Sequence, residues 1–159
     1  MNKEDLVMNE FRNVFNKMAW LNKNKMEVAL EGYKSSEIHC IEYIGKHADS
    51  NVTRLAEAFY MTNGAISKIA KKLMAKGLIE SYRKPDNKKE IYFRLTGLGE
   101  EVFTIHEDLH QEFRERDQEI FAQVTDAQFD SMLHFMERYS RHLDTEIEKQ
   151  GIDLKPEQQ

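Results

Sequence analysis

Two histidines four residues apart, His106 and His110, lie in the stretch FTIHEDLHQEF, Phe103–Phe113. On a helix that spacing puts both imidazoles on one face. Neutral imidazoles so placed suit a divalent transition metal, zinc above all. Two surface histidines on an ordinary helix are the alternative. Cys40 is the only cysteine, so no disulfide can form within the chain and a reducing cytoplasm is the expected setting. The nearest basic residues in sequence are Lys34 and Lys46, which make no cluster able to hold a thiolate. A buried, inert thiol is expected there, with metal ligation as the other option. The chain has no Gly-rich phosphate loop, no nucleophile elbow and no cysteine–histidine signature, so no enzyme is expected.

Charge is segregated along the 159 residues, although the net value is only −5. Residues 52–94 carry ten Lys/Arg against four Asp/Glu, and residues 99–159 carry six against sixteen. A basic middle between acidic flanks points to a polyanion met by the middle alone. No apolar run approaches the roughly 20 residues that span a bilayer, and the first ten residues are too polar for a signal peptide, so no membrane partner is expected.

Long amphipathic helices are expected at both ends. Leu6, Val7, Phe11, Val14, Met18 and Leu21 recur at helical steps, as do Phe129, Met132, Leu133, Met136, Tyr139, Leu143 and Ile147. Thr125 should cap the last helix, with Gln128 completing a capping box. The helix before it should run from about Thr96 to Gln123, with Leu98, Val102, Ile105, Leu109, Phe113 and Ile120 as its apolar positions. A lone protomer has little to cover such stripes, so residues 5–32 and 112–150 are expected to hold a homodimer. Residues 151–159 read as a flexible tail.

Residues 35–111 read as a separate lobe. Ser35–His47 should be a short serine-capped helix with Ile38, Ile41 and Ile44 inside. Within residues 52–76, Val52, Leu55, Ala56 and Phe59 line one helix and Ile66, Ile69, Ala70 and Leu73 line the next. Thr62 caps the second helix and Gly77 ends it in the left-handed region, which gives helix-turn-helix spacing. Tyr60 stands where many such turns have Gly. Residues 79–95 should form a hairpin, its strands at Ile79–Arg83 and Ile91–Leu95. A basic hairpin after a basic helix makes a winged helix, so the expected fold is mainly α with a small β-wing.

The outward face of the second helix offers Asn63, Gly64, Ala65 and Ser67 in its first turns, small and polar enough for close approach to base edges. Lys68, Lys71 and Lys72 follow, suited to phosphate oxygens. Thr62 at the cap and Thr53 on the preceding helix join this DNA-facing set. The wing adds Arg83, Lys84, Asn87, Lys88 and Lys89.

The order of elements, with the Leu-Ala start of the helix-turn-helix, its GLIE exit and the RLTGLG step after the wing, resembles the MarR family of transcriptional regulators over roughly residues 5–150. The family's wing carries Asp-x-Arg, whereas this chain has Asn87-Lys88-Lys89, so a cation is kept but the acid is lost. The resemblance implies a dimeric winged-helix protein that binds a pseudo-palindromic duplex operator, usually as a repressor. It also implies a ligand that tunes DNA affinity from a crevice between the dimer helices and the DNA lobes. Histidines at the positions of His39, His106 and His110 are similar to those of zinc-responsive members. The metal set this implies is those three plus an acid, Glu31 first and Glu27 second, with Glu107 also nearby in sequence. Ile38 and Ile105 stand where a second metal site of those sensors would need acids. The alternatives are the same regulator answering a small aromatic or acidic organic effector in that crevice, or a non-enzymatic helical interaction protein.

Overall fold

A capping residue starts most of the helices in the computed structural model, which describes residues 2–151. Helix α1 (Lys3–Ala29) is capped by Asn2, whose side chain accepts from the Asp5 N–H. Helix α2 (Ser35–Lys46) is the exception. Its cap position is Lys34 and no side chain bonds there, so the expected serine cap is not made. Ser35 is already the first helical residue. Helix α3 (Val52–Phe59) is capped by Asn51, and α4 (Asn63–Ala75) by Thr62.

Strands β1 (Ile79–Lys84) and β2 (Asn87–Leu95) pair antiparallel and form the wing. The second strand starts four residues earlier than its apolar alternation suggested. The turn is therefore only Pro85-Asp86, and the basic residues Lys88 and Lys89 are strand residues. Ser50 pairs with Phe93 as a one-residue third strand. Helix α5 (Gly97–Phe121) follows, capped by Thr96, and α6 (Asp126–Lys149) opens with the full Thr125–Gln128 capping box. The boundary expected between residues 111 and 112 falls inside α5, which runs unbroken from the lobe to Phe121. The tail expected over 151–159 lies outside the described residues beyond Gly151.

The core belongs to the lobe. Ile38, Ile41 and Ile44 of α2 pack with Leu55, Ala56, Ile66, Ala70 and Leu73 of the helix-turn-helix, and with Leu78, Ile79 and Phe93 at the wing base. Val102, Leu109 and Phe113 close it from α5. Ile105, expected on that inner face, is 40 % exposed, and His106 takes the inner position at 3 %. The two neighbours differ by one helical step, and α5 is rotated so that its imidazole faces α2.

Two local devices hold the helix-turn-helix in place. Tyr60 adopts φ 52°, so the left-handed residue of the turn is a tyrosine where glycine is the unstrained choice. At the far end of α4, Gly77 (φ 72°) reverses the chain as expected. The RLTGLG step then has a physical meaning. The Thr96 hydroxyl donates to the Gly77 carbonyl (2.6 Å) and accepts from the Gly99 N–H (3.1 Å). A Cβ at Gly99 would stand 2.0 Å from the Leu78 carbonyl oxygen, so only glycine allows α5 to start this close to the wing base.

Along α1 and α6, burial stops. Neither α1 nor α6 contains a buried residue. Phe15, Trp20 and Val28 on α1, and Leu133 and Met136 on α6, are exposed, as are Ile120 and Phe121 at the end of α5.

Candidate nucleic-acid interface and metal centre

Helix α4 projects from the lobe with Ile66 fully buried and its opposite side open. Lys68, Lys71, Lys72 and Gly64 are exposed, while Asn63, Ala65 and Ser67 are half-buried. Thr53 and Thr62 are exposed nearby, and the Thr62 hydroxyl is committed to capping the Ala65 N–H at 3.1 Å. Lys88 and Lys89 are exposed on the wing. Among the described residues none of these five lysines has an acidic partner within ion-pair distance.

The other wing residues expected on DNA are engaged within the chain. Asn87 accepts from the Lys89 and Glu90 N–H groups at 3.3 and 3.2 Å and shapes the turn. Arg83 donates to the Lys88 carbonyl. Lys84 is paired with Asp49 at 2.5 Å and lies over the Tyr92 ring, 4.9 Å from its centroid. Asp49 is the residue that sequence reasoning missed here. Nothing in its local sequence indicates a partner 35 positions away.

The histidine pair is organised differently from the sequence expectation. His106 is buried and His110 half-buried, with Nε2 atoms 3.0 Å apart. The carboxylate that joins them is Glu42 of α2, and the ligand atoms of the three lie within 4.8 Å of one another. Glu42 was not among the expected acids. Glu31 and Glu27 are exposed and outside this group, and Glu27 faces Lys23 on its own helix at 3.6 Å. His39 is also outside it, exposed, with its ring stacked on Phe59 at 6.3 Å. The signal that could have found Glu42 was its place three residues after His39, on the same helix face.

Electrostatics favours the neutral form of His106 and the charged form of Glu42. Burial, and then the His110 charge, push the His106 pKa below its ordinary value against the pull of Glu42 and Glu107. Burial raises the Glu42 carboxyl, but the Lys46 hydrogen bond and the charges of His106 and Lys46 outweigh it, and the net shift is downward. Lys46 bridges Glu42 (2.7 Å) and Glu107 (3.1 Å), a tie from α2 to α5 beside the histidines. The Nδ1 atom of His106 is buried without a hydrogen-bond partner among the described residues. Cys40, 2 % exposed, is held as the thiol, its pKa pushed up to about 11 by burial and by Glu37.

Residues 34–91, the lobe from α2 into the wing, match the model of the MarR family. The HTH-type transcriptional regulator PchR of Bacillus subtilis is 26 % identical, over 96 % of this chain and 98 % of its own length. The chain carries a MarR-family domain over residues 34–91. It is also 34 % identical to the HTH-type regulator YhjH of the same organism, over 69 % of this chain and 61 % of that protein. In three dimensions the chain is similar to Streptococcus pneumoniae FabT crystallised in complex with DNA. That likeness has a TM-score of 0.76 at 18 % identity and covers 90 % of this chain and 99 % of FabT. The expectation of a regulator and not an enzyme agrees with the MarR match and with the HTH-type regulators this chain resembles. No helix among the described residues is long and apolar enough to cross a membrane.

Proposed function

We propose that the protein is a homodimeric repressor that seats α4 in the major groove of duplex DNA and the wing on the flanking backbone. The observation that carries this is the row of unpaired lysines, Lys68, Lys71, Lys72, Lys88 and Lys89, on the two elements a winged helix presents to DNA. The complex of its structural neighbour FabT with DNA supports the same reading. Dimerisation rests on area. The chain exposes 12098 Å², against roughly 8300 Å² for a compact monomer of its mass. The exposed surface includes the apolar stripes of α1 and α6, on which no residue is buried. A two-fold dimer would set its recognition helices about 34–36 Å apart, one turn of a pseudo-palindromic operator. Repression is the sign proposed, because a dimer seated across an operator occludes it. The cytoplasm, which suits a lone thiol, is the proposed compartment.

The proposed effector is a divalent metal, zinc first, held by His106, His110 and Glu42, with His39 or water as the fourth donor. The donor set fits. Two zinc-bound nitrogens in a tetrahedron lie roughly 3.3 Å apart, close to the 3.0 Å between the two Nε2 atoms. The lowered pKa of His106 supplies the neutral donor. Such a site joins α2 of the lobe to α5 of the dimer arm, so its occupancy would restrict the spacing between recognition helices. By linkage, DNA would then tighten metal binding by the same factor by which metal tightens DNA binding. Zinc titrated into the wild type, His106→Ala/His110→Ala and Glu42→Gln tests this. One ion per chain in the wild type, loss in the double variant and weakening in Glu42→Gln are expected. Equal uptake by all three, or uptake by none, refutes the site. Glu31→Gln should bind as the wild type does.

A further inference from the structure

Asp49 lies in the loop between α2 and α3, at φ 58°, a left-handed conformation that aspartate tolerates better than most residues. Every acceptor it has is used. One carboxylate oxygen accepts from the Tyr82 hydroxyl at 2.6 Å, and the other from Lys84 Nζ at 2.5 Å. Its backbone carbonyl accepts from Arg54 of α3 at 2.9 Å. The next residue, Ser50, is fully buried and takes the Phe93 N–H of β2 at 2.8 Å. Tyr82 and Lys84 project from the same side of β1, two residues apart, and the strand register shifts between them. The carboxylate thus spans the irregular part of the wing. Across the sheet, Tyr82 packs on Tyr92, and Lys84 sits over the same ring.

We propose that Asp49 is the positioning residue of the wing. It clamps β1 through Tyr82 and Lys84, while Arg54 ties the same residue to the first helix of the helix-turn-helix. Lys84 then serves the clamp and not a phosphate, and the wing's free charge is carried by Lys88 and Lys89. The Asp-x-Arg element that this chain lacks in β2 has a counterpart here in an acid from outside the wing. Any effect on DNA rests on the DNA-binding reading above, whereas the clamp itself is a property of the folded chain.

The sign of one substitution separates the clamp from plain electrostatics. Asp49→Asn removes a negative charge beside the DNA-facing surface, so by charge alone it must tighten binding. The clamp predicts the opposite. Binding of a mixed-sequence 30-base-pair duplex is measured by fluorescence anisotropy at fixed salt for the wild type, Asp49→Asn, Lys84→Met and the double variant. Each single variant should bind about tenfold more weakly, and the double variant no more weakly than either. Amide hydrogen exchange on the free proteins, including Tyr82→Phe, gives the second readout. Exchange should quicken across residues 80–94 and stay unchanged in α4. Tighter binding by Asp49→Asn, additive losses in the double variant, or unaltered exchange in the wing would overturn the clamp. If the wild type binds no duplex, the DNA reading fails and the exchange data alone judge the clamp.

Discussion

A histidine on the inner face of a helix and another one turn later are easily read as solvent-facing, because their residue type is polar. Here His106 is more buried than the isoleucine that precedes it, 3 % against 40 %. Burial is also what sets the chemistry of Cys40. With its pKa at about 11, against 9.0 for a free thiol, the folded chain holds about 100-fold less thiolate below pH 9 than the unfolded chain does. The linkage follows from the raised value. The stabilising preference for the thiol is fully present below pH 9 and is lost as pH rises towards 11. Iodoacetamide at pH 8.5 should therefore label Cys40 slowly in buffer and rapidly in urea. Equal rates in the two would show an exposed, reactive cysteine.

At the scale of elements, the lobe depends on close approach. Ala56 is 1 % exposed where α3 meets α4, and Gly99 meets the Leu78 carbonyl where α5 leaves the wing. Gly99→Ala forces a backbone shift, since the obstructing atom is main chain and cannot rotate away. The expected cost is about 3 kcal/mol, the upper end for overpacking, read as a lower urea midpoint at unchanged m-value. A change under about 0.5 kcal/mol, the size of an ordinary surface substitution, would mean the α5 start is free to move. These elements were legible from sequence where the signal was local. Thr62, Gly77 and the Thr125–Gln128 box each act within three or four residues, and all were placed correctly. The strand start at Asn87 was not legible, because Asn87–Glu90 is polar on both faces and carries no alternation. Glu42 and Asp49 escaped for a different reason. Their partners, His106 and Lys84, lie on other elements, and only the packing of α5 on α2 and of the wing on the α2–α3 loop brings them together.

For the whole molecule, charge and apolar surface are divided between the two ends of α5. The lobe presents unpaired lysines, and the arms present uncovered Phe, Trp, Leu and Met. One end suits a polyanion and the other a second copy of the chain. The central claim, that the lysines of α4 and the wing bind the DNA backbone, is tested most directly by the salt dependence of duplex binding. Affinity for a 30-base-pair duplex is measured from 50 to 200 mM salt for the wild type, Lys71→Ala and Lys89→Ala. The account predicts that log affinity falls linearly with log salt in the wild type. Each substitution should weaken binding and reduce that slope by about one unit. A wild-type protein with no measurable duplex binding at 50 mM salt, or variants with the wild-type slope and affinity, would contradict it.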